Sequence, residues 1–363
     1  MKRFALPAAA GLMVAVCVLA LLAWRAWNTG VTAGAVADGT VQVRVAPGAS
    51  LHSVSADLQR RGLLRQRRLL LLVAQLTGRD RQLQVGRYEI PPSASPRELL
   101  RILRSGSPLP VKITLPEGLE VEALAAILAD SLALAPAAIL AAADSLVARD
   151  AAALMGGDAR DRFVALTAAG ARPDGRQVHW CEGYLAPDTY HFAEGTSAAA
   201  VAGALVALQR ARLDSAVALA YGPAASLWPH ELLTLAAIVE SEARRSDERG
   251  RIAAVYHNRL TAGRRLEADP TVAFWLGKRG QRLLYRDLEV DSPYNTYLRS
   301  GLPAGPIGAP GRAAIMATAQ PDTTCRALFF VADGEGGHVF SRTLAEHQQA
   351  VVRYRQLMRE RRR

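Results

Sequence analysis

Cysteine is scarce in this 363-residue chain, with only three: Cys17, Cys181 and Cys325. So few thiols exclude a disulfide framework or a cysteine-built metal cluster. Cys17 falls in an apolar N-terminal run. Cys181 and Cys325 could pair in an oxidising compartment, but two buried free thiols are the expectation, since unpaired cysteine packs as a small hydrophobe. Aromatic residues make up only 6%. There is no strand-borne aromatic motif of the RNA-binding kind and no zinc-finger spacing. Histidine is thin as well. His338 has no second His or Cys at ligand spacing, so no metal site is expected. Lysine is confined to Lys2, Lys112 and Lys278, none of which stands out as a Schiff-base residue, and no cofactor is expected. Acidic residues are outnumbered, 33 against 44 Lys and Arg, for a net charge of +11. A basic surface suits any polyanion, whether nucleic acid, anionic lipid or an acidic wall polymer. With the recognition motifs missing, nucleic acid is not the expected partner.

Half of the residues are apolar, enough for a large core, and the length allows two domains. Residues Phe4 to Trp24 carry no charge and follow Lys2 and Arg3. That run is long enough for a membrane-spanning helix, with Trp24 and Trp27 as interfacial aromatics. The expectation is an uncleaved single-pass anchor, residues 1–28, in a bacterial inner membrane. Met1 then lies in the cytoplasm and the bulk of the chain outside it. TAGAVA (32–37) leaves cleavage as a signal peptide open. Residues 29–40 read as a linker.

Punctuation and periodicity give the rest. Val41–Val45 and Gly86–Ile90 read as strands. A helix carrying Leu51, Val54 and Leu58 follows the first strand. Arg67–Leu76 reads as a second helix, and Ser95 caps a third that starts at Pro96. VAPGASLHSVSADL (45–58) aligns with LPEGLEVEALAAIL (115–128), matching Gly48 with Gly118: a strand, a glycine turn and an amphipathic helix, twice, with two ordinary strand–helix units as the equal alternative. The expected class is α+β: the anchor, a small LysM-like α/β module (41–130), a helical connection (131–160) and a larger mixed catalytic domain (161–363).

ELLTLAAIVESEARR (231–245) reads as a helix with Pro229 in its first turn. Glu240 leaves it from a mostly apolar face. Glu242 is rotated by about 200° and so points elsewhere. Desolvation favours the uncharged form of a carboxyl group, and an acid that keeps its proton near neutral pH can act as a general acid. The plain alternative is an i,i+4 ion pair between Glu240 and Arg244. EGYLAPDTYHF (182–192) reads as a shaped polar loop in which Tyr184, Asp188 and Tyr190 could meet a sugar. A tight turn satisfied by its own side chains is the equal alternative. Asp269, before Pro270, could be an N-cap.

Six segments together resemble the endolytic murein transglycosylase (YceG-like) family: EGYLAPDTY (182–190), LAAIVESEA (235–243), YHNRL (256–260), LEADPTV (266–272), SPYNTYLRSGLPAGPI (292–307) and FFVADGEGGHVFSRTLAEH (329–347). Cys181, Ala186 and Ala309 depart from the family, which more often has Leu, an aromatic residue and Asn there. The resemblance implies a lyase that cuts peptidoglycan glycan strands between N-acetylmuramic acid and N-acetylglucosamine, leaving 1,6-anhydro ends and terminating nascent strands. It makes Glu240 the catalytic acid and base. It implies Glu182, Asp269, Tyr294, Asn295 and Thr296 as substrate contacts, beside Tyr184 and Asp188, and peptidoglycan synthases as candidate partners. Three other readings stand beside it. One is a hydrolytic muramidase using Asp269 or Glu267 as second carboxylate. Another is a non-catalytic glycan-binding scaffold. The last is a cytosolic pyridoxal-phosphate lyase, which the expected anchor and the lack of a suitable Lys oppose.

Overall fold

The structure, a computed structural model, describes residues 5–30, 40–46, 48–80, 83–105, 110–169 and 171–361. Most of the linker, the TAGAVA segment, Pro47 and the last two arginines lie outside them. The chain divides into two compact units, Met1–Lys112 with His191–Thr196, and Ile113–Tyr190 with Ser197–Arg363.

The first unit begins with helix α1 (Ala5–Asn28) and continues through β1 (Val41–Val45), α2 (Leu51–Arg60), α3 (Arg67–Leu76), β2 (Gly86–Ile90) and α4 (Pro96–Ser105). β1 and β2 pair antiparallel, Val41 opposite Ile90 and Val45 opposite Gly86. Val43, Val45, Tyr88 and Ile90 are buried, while Gln42, Arg44, Arg87 and Glu89 alternate outward. That period of two leaves one face for the helices to cover. Leu58, Leu70, Leu99 and Leu103 fill the space beneath. Ser50 accepts the Ser53 amide (3.2 Å) and Ser95 the Glu98 amide (3.2 Å), fixing the starts of α2 and α4. Glu194 forms ion pairs with Arg44 and Arg87 on the two strands.

The membrane anchor expected from the sequence is corrected here. Among the described residues no helix is long and apolar enough to cross a membrane. α1 carries Arg25 in its last turn. Its end is engaged within the first unit: Trp27 packs against the core and Asn28 accepts a bond from Arg97. Trp27 is therefore taken up by the core of the first unit, and the single-pass inner-membrane placement goes with the anchor. The fold class is a mixture of helices and short strands, with no spanning helix among the described residues.

The second unit runs β3 (Val111–Thr114), α5 (Val121–Leu132), α6 (Pro136–Arg149), α7 (Ala151–Leu154), α8 (Gly157–Ala169), β4 (Thr189–Phe192), α9 (Ala198–Ala218), α10 (Pro229–Glu242), α11 (Arg249–Thr261), α12 (Asp269–Trp275), α13 (Arg312–Ala319), β5 (Phe329–Ala332), β6 (His338–Ser341) and α14 (Leu344–Glu360). The division between the units falls inside β3 and β4, which pair with each other. β5 pairs antiparallel with β6, so each sheet of the described chain has two strands. Helices supply the bulk of this core. α10 is buried at His230 and from Leu232 to Val239, with α9, α11, α12 and α13 around it. The repeated strand–glycine–helix theme is present: Gly48 lies between β1 and α2 at φ +77°, Gly118 between β3 and α5 at φ +78°. Both need the left-handed backbone that glycine adopts without a Cβ penalty.

Candidate active site

α10 starts with Pro229 in its first turn and with Glu231 folding back to accept the Trp228 amide (3.0 Å). It ends at Glu242, where Ala243 turns extended, so Arg244 and Arg245 fall beyond the helix. Glu240 thus sits in the last turn, where unpaired carbonyls make a poor place for a carboxylate. Two groups from elsewhere offset this. Arg249, the first residue of α11, donates Nη2 to Glu240 Oε1 (3.1 Å). Gly311, the N-cap of α13, donates its amide to Glu240 Oε2 (3.1 Å). The carboxylate therefore faces a guanidinium and the positive end of a helix, and its side chain is only 8% exposed. Its ion-pair partner is Arg249, in place of Arg244.

A second carboxylate shares these partners. Glu117, between β3 and α5, reaches the same Arg249 Nη2 (3.9 Å). A Cβ built on Gly311 would stand 1.8 Å from Glu117 Oε1, so only glycine leaves room for it. Burial pushes the Glu117 carboxyl above its ordinary range; the neighbouring Glu240 and Asp188 push the same way, against Arg249 and Arg212. The floor of this site is backbone. Gly118 N–H donates to Ala309 O (2.7 Å) and Ala309 N–H to Leu119 O (2.8 Å), laying the two loops side by side. Arg279 clamps them, donating to Gly118 O (2.5 Å) and to Ser241 Oγ (3.0 Å). Gln209 of α9 ties in the next turn, donating to both Gly183 O and Pro310 O (3.0 Å each).

The other sequence-derived residues are placed as follows. Glu182 is buried and accepts the Val121 amide (3.3 Å) at the start of α5. Its carboxyl is raised to about 8, first by burial and then by Glu120, against Arg172 and Arg279. Tyr184 is fully buried, its hydroxyl 3.0 Å from His230 Nδ1. Asp188 is exposed and paired with Arg212. Tyr190 donates to Ala186 O (2.8 Å). Asp269 opens α12 and accepts from Tyr297 (2.6 Å). Tyr294 is buried against Phe274 and Trp275. Asn295 and Thr296 are buried loop fasteners: Asn295 donates to Leu288 O and Val290 O, and Thr296 Oγ1 accepts the Ala268 amide. Glu267 pairs with Arg259 (3.0 Å).

Glu242 lies on the other face of α10. It accepts from Tyr256 (3.0 Å) and is pushed up to about 7 by burial, with Asp269 adding to the rise. Asp269 thus acts on Glu242, and neither it nor Glu267 touches Glu240. What the sequence reading missed is Glu117, Arg249, Arg279 and the Gly311 amide. Glu117 stood in the repeated LPEG segment, where it read as scaffold.

One set of potential metal ligands comes together outside this site. Asp144, His179 and Cys181 bring ligand atoms within 4.8 Å of one another. Their own bonds already close the set: Asp144 lies 2.8 Å from His179 Nδ1 and accepts the Cys181 amide (2.8 Å). Cys181 and Cys325 are both free.

Known proteins give the site a context. An endolytic murein transglycosylase of Bacillus subtilis (strain 168) is 29% identical over 322 residues, covering 87% of this chain and 85% of that protein. One of Streptococcus pneumoniae (strain ATCC BAA-255 / R6) is 27% identical over 328 residues; the match covers 85% of this chain and 58% of that longer protein. A solved structure of a YceG-like protein from Listeria monocytogenes covers 86% of this chain and 99% of its own, with a TM-score of 0.52 and 28% identity. The sequence profile of the YceG-like family matches residues 43–353, which contain the whole Glu240–Glu117–Arg249 site, and the chain belongs to that family.

Proposed function

We propose that this chain is a lytic transglycosylase that cuts within peptidoglycan glycan strands, with Glu240 as its catalytic acid and base. The observation that carries the reading is the placement of Glu240: a nearly enclosed carboxyl group between a guanidinium, a helix N-terminus and a second carboxylate, in a chain whose relatives are named endolytic murein transglycosylases.

Glu240 in its protonated form is the acid. The neighbouring Glu117 carboxyl, pushed up by burial and by Glu240, keeps a proton close at hand. Glu240 donates its proton to the glycosidic oxygen as the C1–O bond of N-acetylmuramic acid breaks. The carboxylate left behind faces the positive charge that grows at C1. It then takes the proton of the sugar's own C6 hydroxyl while O6 closes on C1. One C–O bond breaks, one forms and no water is consumed, so the product ends in a 1,6-anhydro ring. A single acid–base residue suffices because the nucleophile belongs to the substrate; participation by the acetamido group is a known departure from the two-carboxylate scheme. Arg249 and Arg279 hold Glu240 and the Gly118 loop in register. Of the sequence-derived contacts, Asp188 is the exposed one that also acts on Glu117, and it serves substrate placement. The first unit, with two antiparallel strands enclosing two helices, serves as a LysM-like glycan holder. Termination of nascent strands beside peptidoglycan synthases is the process this chemistry fits.

The test is product analysis. The full chain and its Glu240→Gln variant are incubated with purified uncrosslinked glycan strands, and the ends are weighed by mass spectrometry. Ends lighter by one water with the wild type, and none with the variant, are expected. Full-weight reducing ends would replace this reading with hydrolysis, for which Glu117 is the second carboxylate at hand. Binding without cleavage by either protein would make the chain a scaffold.

A further inference from the structure

The glycine-rich DGEGGH segment (333–338) plays no part in the site described so far, yet it walls a cavity of about 440 Å³ on the Glu242 side of α10. That volume lies within the range of small-ligand sites. Ser241 and Glu242 form one side, the β5–β6 turn another, and Arg244 and Arg361 bring guanidinium groups to it. The turn is rigidly built. Asp333 accepts the Glu335 and Gly337 amides (2.6 and 2.9 Å). Glu248 holds His338 through its backbone amide (2.9 Å) and its ring (2.8 Å). Glu248 immediately precedes Arg249, so the cavity wall and the Glu240 partner start from the same turn of chain.

The charges around this cavity are unevenly settled. Asp333 is used up by its own turn and Glu248 by His338. Glu242 is held by Tyr256, and burial keeps its carboxyl largely protonated up to about pH 7. Arg361 donates to Gly334 O. Arg244 is exposed and, among the described residues, forms no ion pair or hydrogen bond. Arg244 is therefore a cation at this cavity with no acid bonded to it, and a carboxylate is the group that satisfies it.

Resting on the transglycosylase reading, we propose that this cavity is the subsite for the carboxylate-bearing stem peptide attached to the same glycan strand, with Arg244 as its anion anchor. The reach agrees. A helix with side chains is about 10 Å across. An extended peptide covers about 3.3 Å per residue. A peptide leaving a sugar at Glu240, in the last turn of α10, thus passes the end of the helix and enters the cavity with roughly its third residue, carrying the free carboxyl groups of that stretch with it.

Two measurements on the full chain test this. First, cleavage rates are compared on strands with intact stem peptides and on the same strands stripped by an amidase. The wild type is expected to prefer the peptide-bearing strands, and Arg244→Ala to lose about tenfold of that ratio, the size of one charge-assisted hydrogen bond. Second, a free stem tripeptide is titrated into both proteins, with about tenfold weaker binding expected for Arg244→Ala. Equal peptide binding by the two proteins, or a wild-type rate indifferent to the peptide, overturns the subsite. A wild type that cuts neither strand but binds the tripeptide through Arg244 leaves the subsite standing and removes the transglycosylase reading instead.

Discussion

Replacing Glu182 by Gln should make the protein more stable at alkaline pH and change how stability depends on pH. Glu182 is 4% exposed and its carboxyl is raised from 4.5 to about 8, chiefly by burial. In the unfolded chain it titrates near its ordinary value. Between about pH 4.5 and 8 the folded chain therefore holds a proton that the unfolded chain has released, and stability falls as pH rises through that window. The full span corresponds to about 5 kcal/mol, an upper end because the backbone around a buried charge relaxes. Even half of it moves the unfolding midpoint by about 5 °C for a unit of this size. Gln keeps an oxygen to accept the Val121 amide and has no proton to lose. Thermal unfolding of both proteins at half-unit steps from pH 4.5 to 8.5 reads the difference directly. Glu242 contributes a fall of the same sign in both proteins, so the informative quantity is the difference between the two slopes. Parallel slopes would refute the argument that burial governs Glu182. The same variant asks what Glu182 is for: retained turnover makes it a structural acid.

Other outcomes follow from the site. Glu117→Gln removes the like charge beside Glu240. Turnover should drop by roughly tenfold or more, and the alkaline limb of the pH–rate profile should move to lower pH; an unmoved limb would separate Glu117 from the proton. Gly311→Ala places a methyl group where the Glu117 carboxylate lies and should lower kcat in a protein whose unfolding midpoint changes little, checked by steady-state kinetics beside calorimetry. His230 is lowered to about 4 by burial. The unfolded chain thus takes its proton first, and stability should be lost as pH falls from about 6.5 towards 4. His230→Leu should flatten that acid slope, seen in midpoints measured at pH 4.5 and 7.

Local order was the most legible part of the sequence. β1, α3, β2 and α4 occupy the spans that alternation, helical spacing and capping residues indicate, because each is short, punctuated and covered on one face. The helix bearing Glu240 was legible too, though its end was not: the pattern runs on to Arg245, while the chain turns extended at Ala243 to bring Arg249 round. α9 went unread. It is a 21-residue alanine-rich helix buried along one face, but Ala204, Ala207 and Val217 sit on its exposed side and Gln209 on its buried one, so no apolar stripe marks it. The anchor was read from a long uncharged run flanked by Lys2, Arg3 and two tryptophans, a pattern that does not distinguish lipid contact from packing such as that of Trp27. Within the site, one carboxylate was visible from its helix. The groups around it come from positions 117, 249 and 311, with Arg279 clamping the floor, and only tertiary structure brings them together.

Gly48 and Gly118 occupy matching places in the two copies of one motif and share nearly the same left-handed backbone. Around Gly48 there is open space within 4 Å; a Cβ on Gly118 would meet Glu240 at 3.7 Å. Alanine at either position carries the same conformational penalty, of order 1 kcal/mol, but only one reaches the reactive carboxyl group. The pair is thus a built-in control, separating what a bent backbone costs the fold from what it does for chemistry. One kind of turn thus serves two ends: at Gly48 it only redirects the scaffold, and at Gly118 it forms the floor of a workplace.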